Sequence, residues 1–224
     1  MTESSQNSGY LRQAWLVILL ALLYGGALAG VQTTLGPIIE ENKRNETYEK
    51  IPELVLGPEK ATSVKVEIEE VEVVDANEKP QTVYRAKASD GATLGWVLPA
   101  SGQGFADRID LLVGLDAELA TITGMFVLDQ KETPNLGNYI TDAEKFRNQF
   151  IGLGSEKSIR VVKTDAVPAR NEIRALTGAT ISSESVADIV NKAVANLKGP
   201  IRDADANSSP TGSSETETPT PVEE

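Results

Sequence analysis

Residues 14–31, AWLVILLALLYGGALAGV, are an uncharged, almost wholly apolar run. A helix of this length matches the hydrocarbon core of a bilayer, where a single segment must satisfy its own backbone hydrogen bonds. Trp15 stands near one end, where an interfacial aromatic belongs. The competing reading is a cleaved signal, because Ala27-Leu28-Ala29 before Gly30 has the spacing of a cleavage site. The preceding segment carries Arg12 as its single basic residue, partly offset by Glu3, which favours a retained anchor. Residues 1–13 then form a polar lead and 14–35 a transmembrane helix. Lys43 and Arg44 follow the span, but a large domain can translocate regardless of such charges.

Composition removes several chemistries. The chain has 224 residues, no Cys and no His. Disulfides, thiolate metal sites, Cys nucleophiles and the usual general base are absent together. Redox chemistry would need a bound organic cofactor. The formal net charge of −12 repels phosphate backbones, so nucleic acid is excluded as a partner.

Beyond the span, PIIEENKRNETYEKIPELVL reads as a helical linker over 36–60, with Pro37 suited to a first turn. VKVEIEEVEVVD alternates at Val64, Val66 and Ile68, then slips phase to Val71 and Val73, which predicts a strand with a bulge near Glu69-Glu70. TVYRAKA and TLGWVLP flank Asp90-Gly91, a hairpin signal. IDLLVGLD and ATITGMFVLD form a second strand pair across Ala117-Glu118-Leu119. Thr141 to Glu144 has the capping-box pattern, placing Phe146 and Phe150 on one face of a short helix. SIRVVKT is another strand. Val186, Ile189, Val190, Ala193, Val194 and Leu197 then recur at helical spacing until Gly199-Pro200. The expected fold is α+β: an N-terminal transmembrane helix, then an antiparallel sheet with flanking helices over 61–200. The acidic, Ser/Thr/Pro-rich residues 201–224 are expected to be a disordered tail.

The segment IRALTGATISSESV, residues 173–186, sits at the start of the last helical pattern. Ser182 or Ser183 would cap that helix, and Thr177 to Thr180 would be an ordinary turn. The same geometry suits a phosphate, since a helix N-terminus presents unpaired N–H groups and a positive dipole end. Gly178 and Ala179 leave room for a bulky group to reach the Thr180 hydroxyl. No nearby His or Lys activates that hydroxyl, so another enzyme would supply the base. The carboxylates of EIEEVEVVD read as a solvated sheet face rather than a metal site.

LTGATISSESV resembles the flavinylation segment of an FMN-binding domain found in two ion-pumping assemblies. These are the Rnf electron-transport complex, in its G component, and the sodium-pumping NADH:quinone oxidoreductase, in its C component. LLVGLDAELATITGMFVLDQKETPNLG is similar to the same proteins, and the two motifs stand in family order about forty-five residues apart. The resemblance implies FMN joined by a phosphoester to Thr180, installed from FAD by a flavin transferase. It also implies that Leu176, Thr177, Gly178 and Ala179 lie near the ring or phosphate, and that Glu132, Thr133, Leu136 and Gly137 wall the ring. Ser101 to Gly104 is a second candidate wall. Two positions depart from the family pattern: Arg174 stands where Asp is frequent, and Asn135 where Gly is usual. The implied function is electron transfer within an ion-translocating complex at a bacterial or archaeal inner or plasma membrane. The partners would be other membrane redox subunits, the transferase and lipid, with the flavin domain on the extracytoplasmic side. The modest length before the tetrad leans toward Rnf over the quinone reductase. A secreted flavoprotein and a flavin-free anchored scaffold are the remaining alternatives.

Overall fold

The computed structural model describes residues 7–208. The described residues divide into two compact units between Tyr48 and Glu49. Helix α1 (Asn7–Leu56) contains the apolar run, which is long and apolar enough to cross a membrane. The helical continuation expected beyond the span is part of the same helix: α1 runs on through Pro37 and Pro52. It ends at Gly57, whose φ of 78° is left-handed, and α2 (Pro58–Ala61) adds one turn.

The second unit is built on an antiparallel meander in the order β1-β2-β3-β4-β5. Its strands are β1 (Val66–Val74), β2 (Pro80–Ala88), β3 (Thr93–Gln103), β4 (Arg108–Asp116) and β5 (Ile122–Asp129). Both hairpins fall where the turn residues place them. Gly91 has φ 86°, and Asp90 Oδ1 accepts the Ala92 N–H at 3.0 Å. Leu119 supplies a left-handed residue to the second, with φ 57°. A two-stranded parallel ribbon, β6 (Arg160–Val162) with β7 (Glu172–Arg174), completes the sheets.

Each face of the five-stranded sheet is covered. On one face the end of α1 (Ile51, Leu54, Val55) packs on Ala86, Val97 and Leu112. Gly95, Gly114 and Gly124 lie beneath it on three neighbouring strands, and a Cβ on Gly114 would stand 2.7 Å from the Leu54 carbonyl oxygen. On the other face, Trp96, Leu98, Leu111 and Val113 meet Val186, Val190, Val194 and Leu197 of α3 (Thr180–Ser208). The phase slip in β1 has its cause here. No bulge occurs at Glu69-Glu70, since Val66 to Val74 pair with β2 in unbroken register. Val66 and Ile68 instead serve the α1 side, while Val71 and Val73 serve the α3 side.

Two helical expectations are corrected. No α-helix forms over Thr141 to Phe150: one 3-10 helix ends at Thr141 and another spans Arg147–Phe150, with a turn between them in which Asp142, not Thr141, accepts the Lys145 N–H and Phe146 takes φ −142°. Phe146 and Phe150 still meet edge to face at 5.5 Å, both fully buried. The second correction concerns α3, which passes Gly199-Pro200 and continues to Ser208, so residues 201–208 are not tail. Pro200 cannot donate to the Asn196 carbonyl one turn back. That carbonyl accepts the Ala76 N–H at 3.2 Å instead. Beyond the proline Ile201 is fully buried, and Asp205 pairs at 3.1 Å with Arg85, a buried cation that also contacts Glu69 and lies over Trp96. The rest of the expected tail, 209–224, lies outside the described residues.

Ile201→Ala should therefore lower unfolding free energy by about 2–4 kcal/mol, the range for emptying a closed aliphatic site. Urea denaturation of the full chain in detergent, followed by circular dichroism, measures this. A loss below about 0.5 kcal/mol, the usual bound for a harmless surface change, would mean the post-proline helix is not part of the core.

Candidate functional site

Two segments far apart in sequence meet at the start of α3. The first, 132–137, leaves β5 and turns sharply. Asn135 takes φ 59°, a left-handed conformation that Asn tolerates, so it can stand in for glycine. The Leu136 and Asn138 N–H groups both return to the Thr133 carbonyl at 3.2 Å. The second segment is 176–180. Gly178 has φ 81°, and a Cβ there would also stand 2.8 Å from Leu136 Cδ2.

Helix α3 begins without a side-chain cap from either serine. The Ala179 carbonyl accepts the first helical bond, from the Ser183 N–H at 3.1 Å. Thr180 is thus the first helical residue, and the first-turn N–H groups of Thr180, Ile181 and Ser182 lack intrahelical acceptors. Ser183 Oγ donates to the Ala179 carbonyl at 2.9 Å and accepts the Leu176 N–H at 3.0 Å, tying the approach segment to the helix. Ser182 Oγ donates to Glu132 Oε2 at 2.5 Å.

Glu132 joins the two segments. It is 4% exposed, and its other carboxylate oxygen accepts the Ala106 N–H at 3.0 Å. Gly137 packs against this link so closely that a Cβ would lie 2.9 Å from both Glu132 Cβ and Ser182 Oγ.

A cavity of about 290 Å³ opens beside the link. Six of the residues singled out from sequence line it: Thr133, Leu136, Gly137, Gly178, Ala179 and Thr180. Glu132, Leu176 and Thr177 do not. The Glu132 carboxylate points into the hydrogen-bond link, Leu176 belongs to the core, and Thr177 is exposed. Ser101 to Gly104, the second candidate wall, lie outside the lining; the neighbouring Phe105 is in it, as are Ile181 and Ser182. Sequence reading passed over Phe105, although an aromatic in the Gly-rich turn GQGFAD is a residue that no core pattern explains.

The lining holds no ionisable side chain. Thr180 is half-buried, and its hydroxyl has no hydrogen-bond partner among the described residues. The donor set is an uncapped helix N-terminus, a free hydroxyl and small flanking residues, framed by apolar side chains. This fits a flavin phosphate: the N–H groups and dipole favour the anion, and Gly178 and Ala179 leave it room. Arg174, in β7, lies away from the cavity and exchanges backbone hydrogen bonds with the Gln149 amide, at 2.7 and 3.3 Å.

The FMN-binding domain family matches residues 104–195. The G component of the ion-translocating oxidoreductase complex of Methanosarcina acetivorans is 35% identical over 55% of this chain and 62% of its own length. The G component of the Na(+)-translocating ferredoxin:NAD(+) oxidoreductase complex of Acetobacterium woodii is 32% identical over 72% of this chain and 78% of its own length. The chain thus spans less than two thirds of the first relative, and 51% and 57% of two further G components. The crystal structure of Shewanella oneidensis NqrC shares the fold, with a TM-score of 0.62 over 74% of this chain and 99% of that one, at 17% identity.

Glu132→Ala should strand the Ser182 hydroxyl and the Ala106 N–H, costing about 1–3 kcal/mol. Amide hydrogen exchange at Ala106 should accelerate with that loss. Unchanged protection at Ala106 would show that the carboxylate does not hold the turn.

Proposed function

We infer that this chain, which belongs to the FMN-binding family of G components of ion-translocating oxidoreductase complexes, is a membrane-anchored electron-transfer subunit carrying FMN on Thr180. The observation that supports this best is the place of one hydroxyl. Thr180 opens α3 inside a cavity that the 132–137 loop also lines. Its oxygen can carry a phosphoester while the first-turn N–H groups neutralise the phosphate charge.

The same hydroxyl has no base beside it. A flavin transferase would supply one. The Thr180 oxygen would form a bond to the flavin-side phosphorus of FAD as the diphosphate bond breaks. AMP would leave, and the hydroxyl proton would pass to the transferase. Once tethered, the flavin would exchange one or two electrons with neighbouring redox centres. Thr133, Leu136 and Gly137 would hold the ring, and the tether would prevent loss of the cofactor to solvent. Glu132 would act behind that wall, holding it in place.

Partners would be the other membrane redox subunits of the complex, with lipid around the apolar part of α1. The flavin domain would stand on the extracytoplasmic side of a bacterial or archaeal plasma membrane. The corresponding C component of a sodium-translocating NADH-quinone reductase is the neighbouring assignment, since relatives of that name are matched over 46% of this chain.

Intact mass and in-gel flavin fluorescence after denaturation test the assignment on the full chain co-produced with a flavin transferase. The parent should carry one covalent flavin. Thr180→Val keeps the side-chain shape and should abolish the covalent signal, whereas Thr177→Val should retain it. A colourless parent would return the cavity to a plain helix start. Loss in Thr177→Val alone would move the bond to Thr177.

A further inference from the structure

Beyond α1, five large apolar side chains among the described residues are more than two-fifths exposed, Val74, Phe105, Leu136, Ile151 and Ile181, and Phe105, at 60%, is the aromatic among them. Leu136 and Ile181, also exposed, line the same cavity. The turn that carries Phe105 is tied down on both sides. The Gly104 N–H donates to the Asp107 carbonyl at 2.8 Å, closing the turn around Phe105. The Ala106 N–H is held by buried Glu132 at 3.0 Å, and Lys131 pairs with Asp107 at 3.1 Å. Because Glu132 also accepts from Ser182, one carboxylate fixes the Phe105 turn and the first turn of α3. The backbone of Phe105 is thus set in register with Thr180 while its ring has little protein cover.

A fixed turn presenting an open aromatic ring beside a cavity is a platform for a flat, apolar partner. We propose that Phe105 is an aromatic wall of the flavin site, stacking on the isoalloxazine and shielding one face of it from water. The inference rests on FMN being tethered at Thr180. Offset stacking suits an electron-poor heteroaromatic against a phenyl ring, and Leu136 and Ile181 would extend the apolar frame. Phe105 is then a binding residue from a third segment, contributed by the β3–β4 turn. A protein partner touching Phe105 directly is the rival occupant, and the same experiment distinguishes it.

The test uses the full chain, flavinylated and in detergent, as parent, Phe105→Ala and Phe105→Trp. In-gel fluorescence after denaturation first confirms the tether in all three. In the native state, an indole touching the ring donates an electron to the excited flavin and recovers it, so Phe105→Trp should shorten the flavin fluorescence lifetime several-fold. The shortening should disappear on denaturation. Phe105→Ala should raise the rate of iodide quenching and shift the visible absorption band. Lifetimes and quenching equal to the parent, with flavin attached, would overturn the proposal and leave Phe105 facing a protein partner. A parent without covalent flavin would instead defeat the Thr180 assignment, and this inference with it.

Discussion

A carboxylate taken out of water must be met by donors or lose its charge. Glu132 is met by two: the Ser182 hydroxyl and the Ala106 N–H. Those partners lie 50 residues after it and 26 before it. Three segments that share no secondary structure are therefore held to one another at a single buried group. The close contacts of Gly104 and Gly137 around Glu132 follow from this crowding, since a side chain at either would displace the carboxylate. The cavity is the space left on the solvent side of the link.

That arrangement explains which parts of the site could be read from sequence. The 132–137 and 176–180 segments are local motifs, visible as strings with glycine where φ must be positive or a neighbour comes close. Asn135 at φ 59° shows that the turn demands a conformation rather than a glycine. The role of Glu132 was not legible. Sequence placed it in the ring wall, whereas its burial depends on the distant Ser182 and Ala106 and turns its carboxylate into the link behind that wall. Phe105 was missed for the same reason, because its neighbours in space come from other segments.

The sheet tells a parallel story. Its hairpins were legible at Asp90-Gly91 and Ala117 to Leu119, where turn chemistry is local. The face each strand buries was not, because two different covers are involved. The phase slip in β1 is the imprint of α1 on one side and α3 on the other. LGW, VGL and TGM, one on each of three consecutive strands, are the matching signal on the sheet. Read together they describe a trough for a closely approaching helix. Pro200 shows the limit of local rules in the opposite direction. Proline removes a donor, but the orphaned Asn196 carbonyl can be met from elsewhere, and Ala76 meets it. Burial of Ile201 then carries the helix past a residue that ordinarily ends one.

A cavity without an ionisable lining has a consequence for how Thr180 would be distinguished from Thr177. Neither hydroxyl is activated by the chain itself, so intrinsic reactivity cannot separate them. Exposure alone would favour Thr177. The phosphate environment favours the other: Thr180 opens the helix, where unpaired N–H groups and the dipole stabilise an anion, and the effect fades within a turn. Thr177 precedes the helix and lies outside the cavity. Selection of Thr180 would therefore be electrostatic and would be felt after the bond forms, as a product held by the helix start. A carrier of this kind needs no catalytic apparatus of its own. It needs a fixed hydroxyl, an anion-friendly helix end and walls that stay in place when the electron arrives. In this fold the walls are fixed by Glu132, whose carboxylate oxygens accept from the Ser182 hydroxyl and the Ala106 N–H and lie outside the cavity lining.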